Sequence, residues 1–190
     1  MRLGSRASDL APLAGLPLKA VTRRAKFLLL EFGETHTLLI HLGMTGTLRS
    51  GASTSPPRKH DHLRLLFTNG EALIFNDARR FGLYELWRSD ALAASTHLRS
   101  LGVEPLAREF NGALLHALAR GRATPLKPFL MDAKILVGGG NIYASEAAHR
   151  AGLNPRRRAG GLSHGRADRL AGWIRRVLRA ACETGASTLC

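Results

Sequence analysis

Cysteine is nearly missing from the chain: of 190 residues only Cys182 and Cys190 carry a thiol, too few for a four-thiolate zinc site or a disulfide framework. Two free thiols suit a reducing compartment, and a cytoplasmic location is expected. Long apolar runs are lacking as well. None approaches the ~18–20 residues that span a bilayer, which excludes an integral helical membrane protein. Acid is scarce, with 14 Asp and Glu against 28 Lys and Arg and a formal net charge of +14. A field of that sign repels cations and gathers polyanions, so nucleic acid or an anionic surface is the partner class to consider. Hydrophobic residues at 45% and charged residues at 22% nevertheless sit near globular averages, which excludes wholesale disorder. Met1 to Ala7 holds two Arg and no acid but lacks the apolar stretch of a secretory signal, and it reads as non-targeting.

What is present changes texture along the chain. The first half carries strand-length apolar runs at Phe27 to Phe32, Leu38 to Leu42, Leu63 to Phe67, Leu73 to Phe75 and Leu83 to Trp87. Turn residues separate them: Gly33-Glu34, Gly43 and Gly46, and Asn69-Gly70, the last predicting a type I′ hairpin. Gly51 to Lys59, with Pro56 and Pro57, reads as an exposed loop. After about Arg88 the period becomes helical. Asn111 is placed to cap a helix ending near Gly121, and Pro128 to open a second that stops at Gly138-Gly139-Gly140. Asn141 is placed to cap a third, running to about Ala151. The last helix strings Leu170, Trp173, Ile174, Val177, Leu178 and Ala181 on one stripe. The fold class expected is α+β: a mostly antiparallel β-sandwich or barrel over residues 1–88, a linker at 89–109, and a helical domain at 110–190.

Between Arg150 and Ala180 stand nine Arg and a single acid, Asp168. Salt-bridge lacing cannot absorb so one-sided an excess, and polyanion contact is the better explanation. Gly138-Gly139-Gly140-Asn141 admits two readings: a C-cap followed by an N-cap, or a turn whose backbone N–H groups receive a phosphate. It is no P-loop, because no Gly-Lys-Ser/Thr follows. Asp77-Ala78-Arg79-Arg80-Phe81-Gly82 places two guanidinium groups beside an aromatic ring in a connection between strands. Arg can grip phosphate in a bidentate manner, and an adjacent ring can wedge between base steps. Met44, flanked by Gly43 and Gly46, is either core filler or an exposed probe. Lys59-His60-Asp61-His62 has no further carboxylate or thiol at ligand spacing, and a metal is not expected there.

Taken in order, these segments resemble the formamidopyrimidine-DNA glycosylases of bacterial base-excision repair. The resemblance runs through Arg23-Arg24-Ala25-Lys26-Phe27-Leu28-Leu29-Leu30, Ile40-His41-Leu42-Gly43-Met44-Thr45-Gly46 and Lys59-His60-Asp61-His62. It continues through Asp77-Ala78-Arg79-Arg80-Phe81-Gly82 and Leu101-Gly102-Val103-Glu104-Pro105-Leu106. It is strongest from Lys127-Pro128-Phe129-Leu130-Met131-Asp132 into Gly140-Asn141-Ile142-Tyr143-Ala144-Ser145-Glu146. The sister family, endonuclease VIII, fits Met44 and Arg79-Arg80-Phe81 less well. The resemblance implies that the β half is an incomplete N-terminal antiparallel β-sandwich and that the helical half is a helix–two-turn–helix DNA-binding domain to which the glycine turn belongs. It further implies that the partner is double-stranded DNA containing oxidised purines or abasic sites, met in the bacterial cytoplasm at the nucleoid by a monomer. Such enzymes flip the damaged base and hold the gap with an inserted triad, matched here by Met44, Arg79 and Phe81. Lys26, His41, Gly140 and Asn141 match positions around the gripped phosphates, and His60, Arg79, Arg80 and Arg122 match further DNA contacts. Lys26 and Glu146 match catalytic-site residues, Lys26 being the family's proton donor in β-elimination.

The resemblance also implies two departures. The family's amino-terminal proline nucleophile and its neighbouring glutamate have no counterpart here, and Pro12 and Pro17 are internal amides that cannot form an iminium. The family's four-cysteine zinc finger lies past Ser187-Thr188-Leu189, so no cofactor is expected in this chain. The chain as given is therefore expected to lack glycosylase activity, either as a fragment of a working bifunctional glycosylase and lyase or as a catalytically inactive lesion-binding module.

Overall fold

Short apolar runs divided by turn residues can bury a face only by pairing with one another. In the computed structural model, which describes residues 7–183, they pair as antiparallel strands. Met1–Arg6 and Ser187–Cys190, both singled out in the sequence, lie outside the described residues. The chain divides into two units, Met1–Ser95 and Thr96–Cys190.

The first unit holds β1 (Leu18–Arg24), β2 (Phe27–Phe32), β3 (His36–His41), β4 (Thr47–Ala52), β5 (Asp61–Leu66), β6 (Glu71–Asn76) and β7 (Leu83–Arg88). One sheet runs β1-β2-β3-β7 and the other β4-β6-β5, with every pairing antiparallel. Strand β3 supplies Leu38, Leu39 and Ile40 to the core with no exposed surface, and β6 supplies Ile74 and Phe75. Phe75 meets Tyr84 of β7 edge to face, joining the inner sides of the two sheets as a sandwich. Two strands carry no apolar run, β1 and β4, and each is one of the two edges of its sheet. The hairpin at Asn69-Gly70 differs from the I′ geometry expected. Only Gly70 is left-handed, and its N–H donates to the Phe67 carbonyl. The Asn69 side chain instead accepts from the Glu71 N–H, an Asx arrangement that leaves Asn69 on the ordinary side of the map.

The second unit holds α1 (Gly112–Ala119), α2 (Leu126–Met131), α3 (Asn141–Arg150) and α4 (His164–Glu183) around Phe110, Leu115, Leu126, Phe129, Leu130, Leu170 and Ile174. Asn111 caps α1 as expected, its side chain accepting from the Leu114 N–H at 2.9 Å. Helix α2 is shorter than the glycine stop suggested. Asp132 ends it: the side chain accepts from the Lys134 N–H, and the carbonyl accepts from Ile135 and Leu136 in a turn. The cap of α3 is Gly140 rather than Asn141, which begins the helix without a side-chain capping bond. Along α4 the stripe is buried at Leu170, Ile174, Val177 and Ala181, joined by Ala167 and Ala171, while Trp173 and Leu178 lie half-buried at its margins.

The division between units falls inside the segment read as a linker. Residues 96–109 belong to the second unit, where Val103 bridges to Leu136 and the Gly102 N–H donates to the Ala133 carbonyl. Among the described residues no helix is long and apolar enough to cross a membrane.

Candidate nucleic-acid interface

Strand registers determine which loops meet. Phe27, His41 and Leu83 stand side by side at one end of the first sheet, and Thr47, Asn76 and Asp61 at one end of the second. Loop 42–46 joins His41 to Thr47, and loop 77–82 joins Asn76 to Leu83, so both cross between the sheets at this same end. The β1–β2 turn with Lys26 and the residues before β5 with His60 lie there too. Seven of the candidate residues are thereby gathered: Lys26, His41, Met44, His60, Arg79, Arg80 and Phe81.

Loops 42–46 and 77–82 touch backbone to backbone. Gly43 is left-handed at φ +66°, and a Cβ there would lie 2.6 Å from the Phe81 carbonyl carbon. A Cβ on Gly82 would lie 2.6 Å from the Phe75 ring and 2.7 Å from the His41 carbonyl oxygen. No side chain fits at these two points of contact, and the loop tips at Met44, Arg79 and Phe81 are exposed. Met44 is 73% exposed and Phe81 37% exposed, and the Arg79 guanidinium lies over the Phe81 ring at 4.6 Å. Met44 is thus exposed and not core filler.

At the centre of this construction stands Asp77, the acid that opens the 77–82 motif and to which the sequence alone assigns no role. Asp77 has no exposed surface. Its carboxylate accepts from Thr45 Oγ1 at 2.9 Å, from the Gly82 N–H at 2.7 Å and from the Arg79 N–H at 3.3 Å. Burial alone would push this carboxyl up; the hydrogen bonds from Gly82, Thr45, Arg79 and Phe81 outweigh it and hold it below the ordinary range. The backbone of Asp77 reaches the third loop, donating to the His60 carbonyl and accepting from His62 Nε2. Asp61 does similar work beside it, meeting Arg49 through both oxygens and accepting from the Arg58 N–H and Asn76. Against the pull of burial, these partners hold its carboxyl low as well. The available signal was the acid itself: in so basic a chain, a carboxylate inside a basic motif is worth asking about.

Among the described residues the non-glycine residues with left-handed backbone are Ala25, His60 and Arg80, and each lies in a loop at this end. The Arg23 guanidinium closes the Ala25–Lys26 turn by donating to the Ala25 carbonyl, leaving Lys26 exposed. The Gly43 N–H donates to His41 Nδ1, so the neutral imidazole carries its hydrogen on Nε2, a donor suited to a phosphate oxygen.

The second unit holds Arg122, Gly140, Asn141 and Glu146. Its two glycine- and proline-led helix starts differ. At α2 the Leu126 and Lys127 N–H groups are taken by the Arg157 and Pro155 carbonyls. At α3 the N–H groups of Asn141, Ile142 and Tyr143 have no acceptor among the described residues, and Asn141 is exposed beside them. The exposed end of a ten-residue helix with open donors is a place an anion can bind. Glu146, one turn further on, is bonded to Arg150 at 2.9 Å. Lys26 and Glu146 lie in different units. Not every Arg of the basic stretch faces outward: Arg175 donates to the Ala107 and Phe110 carbonyls, and Arg157 donates to the Gly161 carbonyl. Among the described residues no group of three His, Cys, Asp or Glu could hold a metal ion.

Comparison with known proteins agrees with this layout. Residues 4–84 match the formamidopyrimidine-DNA glycosylase N-terminal domain and residues 101–190 the H2TH domain of the same family. Formamidopyrimidine-DNA glycosylase of Stutzerimonas stutzeri is 49% identical over 93% of this chain, and that of Halorhodospira halophila 48% identical over 94%. The chain spans 64% and 66% of those two proteins, about two thirds of each. Among solved structures, Lactococcus lactis Fpg in complex with abasic-site DNA superposes with a TM-score of 0.83 at 30% identity, over 93% of this chain and 65% of that one. An inhibited form of the same protein with DNA containing N7-benzyl-Fapy-dG gives 0.85 at 31% identity, over the same shares. With both domains matched in order, and nearly half the residues shared with those relatives, this chain belongs to the formamidopyrimidine-DNA glycosylase family.

Proposed function

We propose that the chain binds damaged double-stranded DNA, at oxidised purines or abasic sites, as the lesion-gripping part of a bifunctional DNA glycosylase and lyase of the cytoplasm. Met44, Arg79 and Phe81 fill the space left by an extruded base; Lys26, His41, His60, Arg80, Arg122 and the Gly140-Asn141 turn take the flanking phosphates. The observation that carries this reading is the outward presentation of Met44, Arg79 and Phe81 by two loops that touch through Gly43 and Gly82. Extruding a base costs a few kcal/mol, least at a damaged pair, so side chains that occupy the void stabilise the extruded state and favour lesions. The Lactococcus lactis complexes with abasic-site and Fapy-dG DNA support the choice of partner.

Lys26 is the proton donor we assign to strand cleavage, and Glu146 is the acidic residue of the second unit that the family match assigns to the catalytic machinery. The engagement of Glu146 by Arg150 favours a second reading, a module that binds lesions without cutting. Fluorescence anisotropy on duplexes with and without a tetrahydrofuran abasic analogue tests the common ground. Binding at least about tenfold tighter to the lesion duplex is expected, and equal affinity overturns the proposal. Borohydride trapping on abasic DNA, run on the 190 residues and on a version joined to the family's amino-terminal Pro-Glu segment, separates the two readings: an adduct with the joined version alone assigns these residues to a lyase, and lesion-selective binding with no adduct from either assigns the module.

A further inference from the structure

We propose that Asp77 is a positioning residue for lesion recognition, its buried carboxylate locking the Met44 loop and the Arg79–Phe81 loop into one rigid wedge. The inference rests on the wedge reading given above. A buried carboxylate is costly unless its lone pairs are occupied, and the usual remedy is a cation. Asp61 shows that remedy, with Arg49 against it. The Asp77 carboxylate has no ion pair among the described residues, although the chain is rich in Arg. Instead it takes a hydroxyl from one wedge loop and backbone N–H groups from the other.

Those donors are chosen by position. Thr45 follows Met44 directly, so the bond from its Oγ1 fixes the peptide that carries the probe. The Arg79 and Gly82 N–H groups bracket the residues that carry the guanidinium and the ring. One anionic centre therefore sets the spacing of all three inserted side chains. Removing it would orphan the loop amides and let the tips drift apart, even though Met44, Arg79 and Phe81 themselves remain. Rigid presentation matters because a tip ordered before binding loses less entropy on insertion.

The test compares the 190-residue chain with Asp77→Asn, Thr45→Val and Thr45→Ser. Affinities for tetrahydrofuran-containing and intact duplexes are measured across a salt series, with thermal melts to confirm folding. Asp77→Asn and Thr45→Val are expected to lower the lesion-to-intact affinity ratio by roughly tenfold, as for loss of a charge-assisted hydrogen bond. The slope of log affinity against log salt should stay unchanged, because phosphate contacts are untouched, and Thr45→Ser should restore the ratio. Should Asp77→Asn fail to fold, Thr45→Val on the exposed loop carries the test alone. Wild-type discrimination retained in Thr45→Val overturns the positioning role and leaves the wedge standing. A wild-type ratio of one overturns the wedge and this inference together.

Discussion

Single residues hold this site together more than its exposed side chains suggest. Gly82 has an ordinary φ, so only space forbids a side chain there: a methyl group would press on the Phe75 ring and the His41 carbonyl. Gly82→Ala is expected to destabilise the β unit by about 1–3 kcal/mol, as overpacking does, read as a lowered midpoint in urea denaturation. The two buried carboxylates have a second consequence. Asp61 and Asp77 both lie below the ~3.9 of an unfolded aspartate. A carboxyl depressed by folding binds fewer protons than it does in the unfolded chain. Its stabilisation is therefore complete above the unfolded value and lost as pH falls through the folded one. Circular-dichroism melts from pH 6 to pH 2.5 should show the melting temperature dropping steeply below about pH 4, and Asp77→Asn should flatten that descent.

Secondary-structure elements were legible to the extent that they bury apolar runs. Strands β2, β3, β5, β6 and β7 each carry one, and each is found. Strands β1 and β4 were not, because an edge strand need satisfy only one ladder and tolerates polar sequences such as Thr47-Leu48-Arg49-Ser50. Helix caps were readable where a side chain does the capping. Asn111 is found in that role, and Asn111→Ala should cost about 1 kcal/mol of stability in the helical unit, measured by thermal melt. Where backbone does the work, sequence misled: Asp132 ends α2 through a turn, and Gly140 rather than Asn141 starts α3. The site shows the same division. Met44, Arg79 and Phe81 could be found as motif members. The role of Asp77 could not, although the residue opens the same motif, because two of its donors are backbone amides and the third, Thr45, stands 32 positions away.

Across the whole molecule, charge is the property that reaches furthest, but the count of basic residues overstates what a polyanion meets. Arg175 is bonded to the Ala107 and Phe110 carbonyls and Arg150 to Glu146. The affinity for duplex DNA should fall with salt on a log–log slope of about −3 or steeper, at roughly −0.9 per neutralised phosphate. Arg122→Ala should make that slope shallower by about 0.9, the loss of one phosphate contact. Arg175→Ala should leave it unchanged while lowering the melting temperature. Titration by fluorescence anisotropy at several salt concentrations checks both. The glycine-to-glycine contact between the two crossing loops has one more effect. Because the frame is made of main chain, the three side chains it displays behave like bits in a fixed chuck: a library randomised at positions 44, 79 and 81 should keep its fold while exchanging one lesion preference for another.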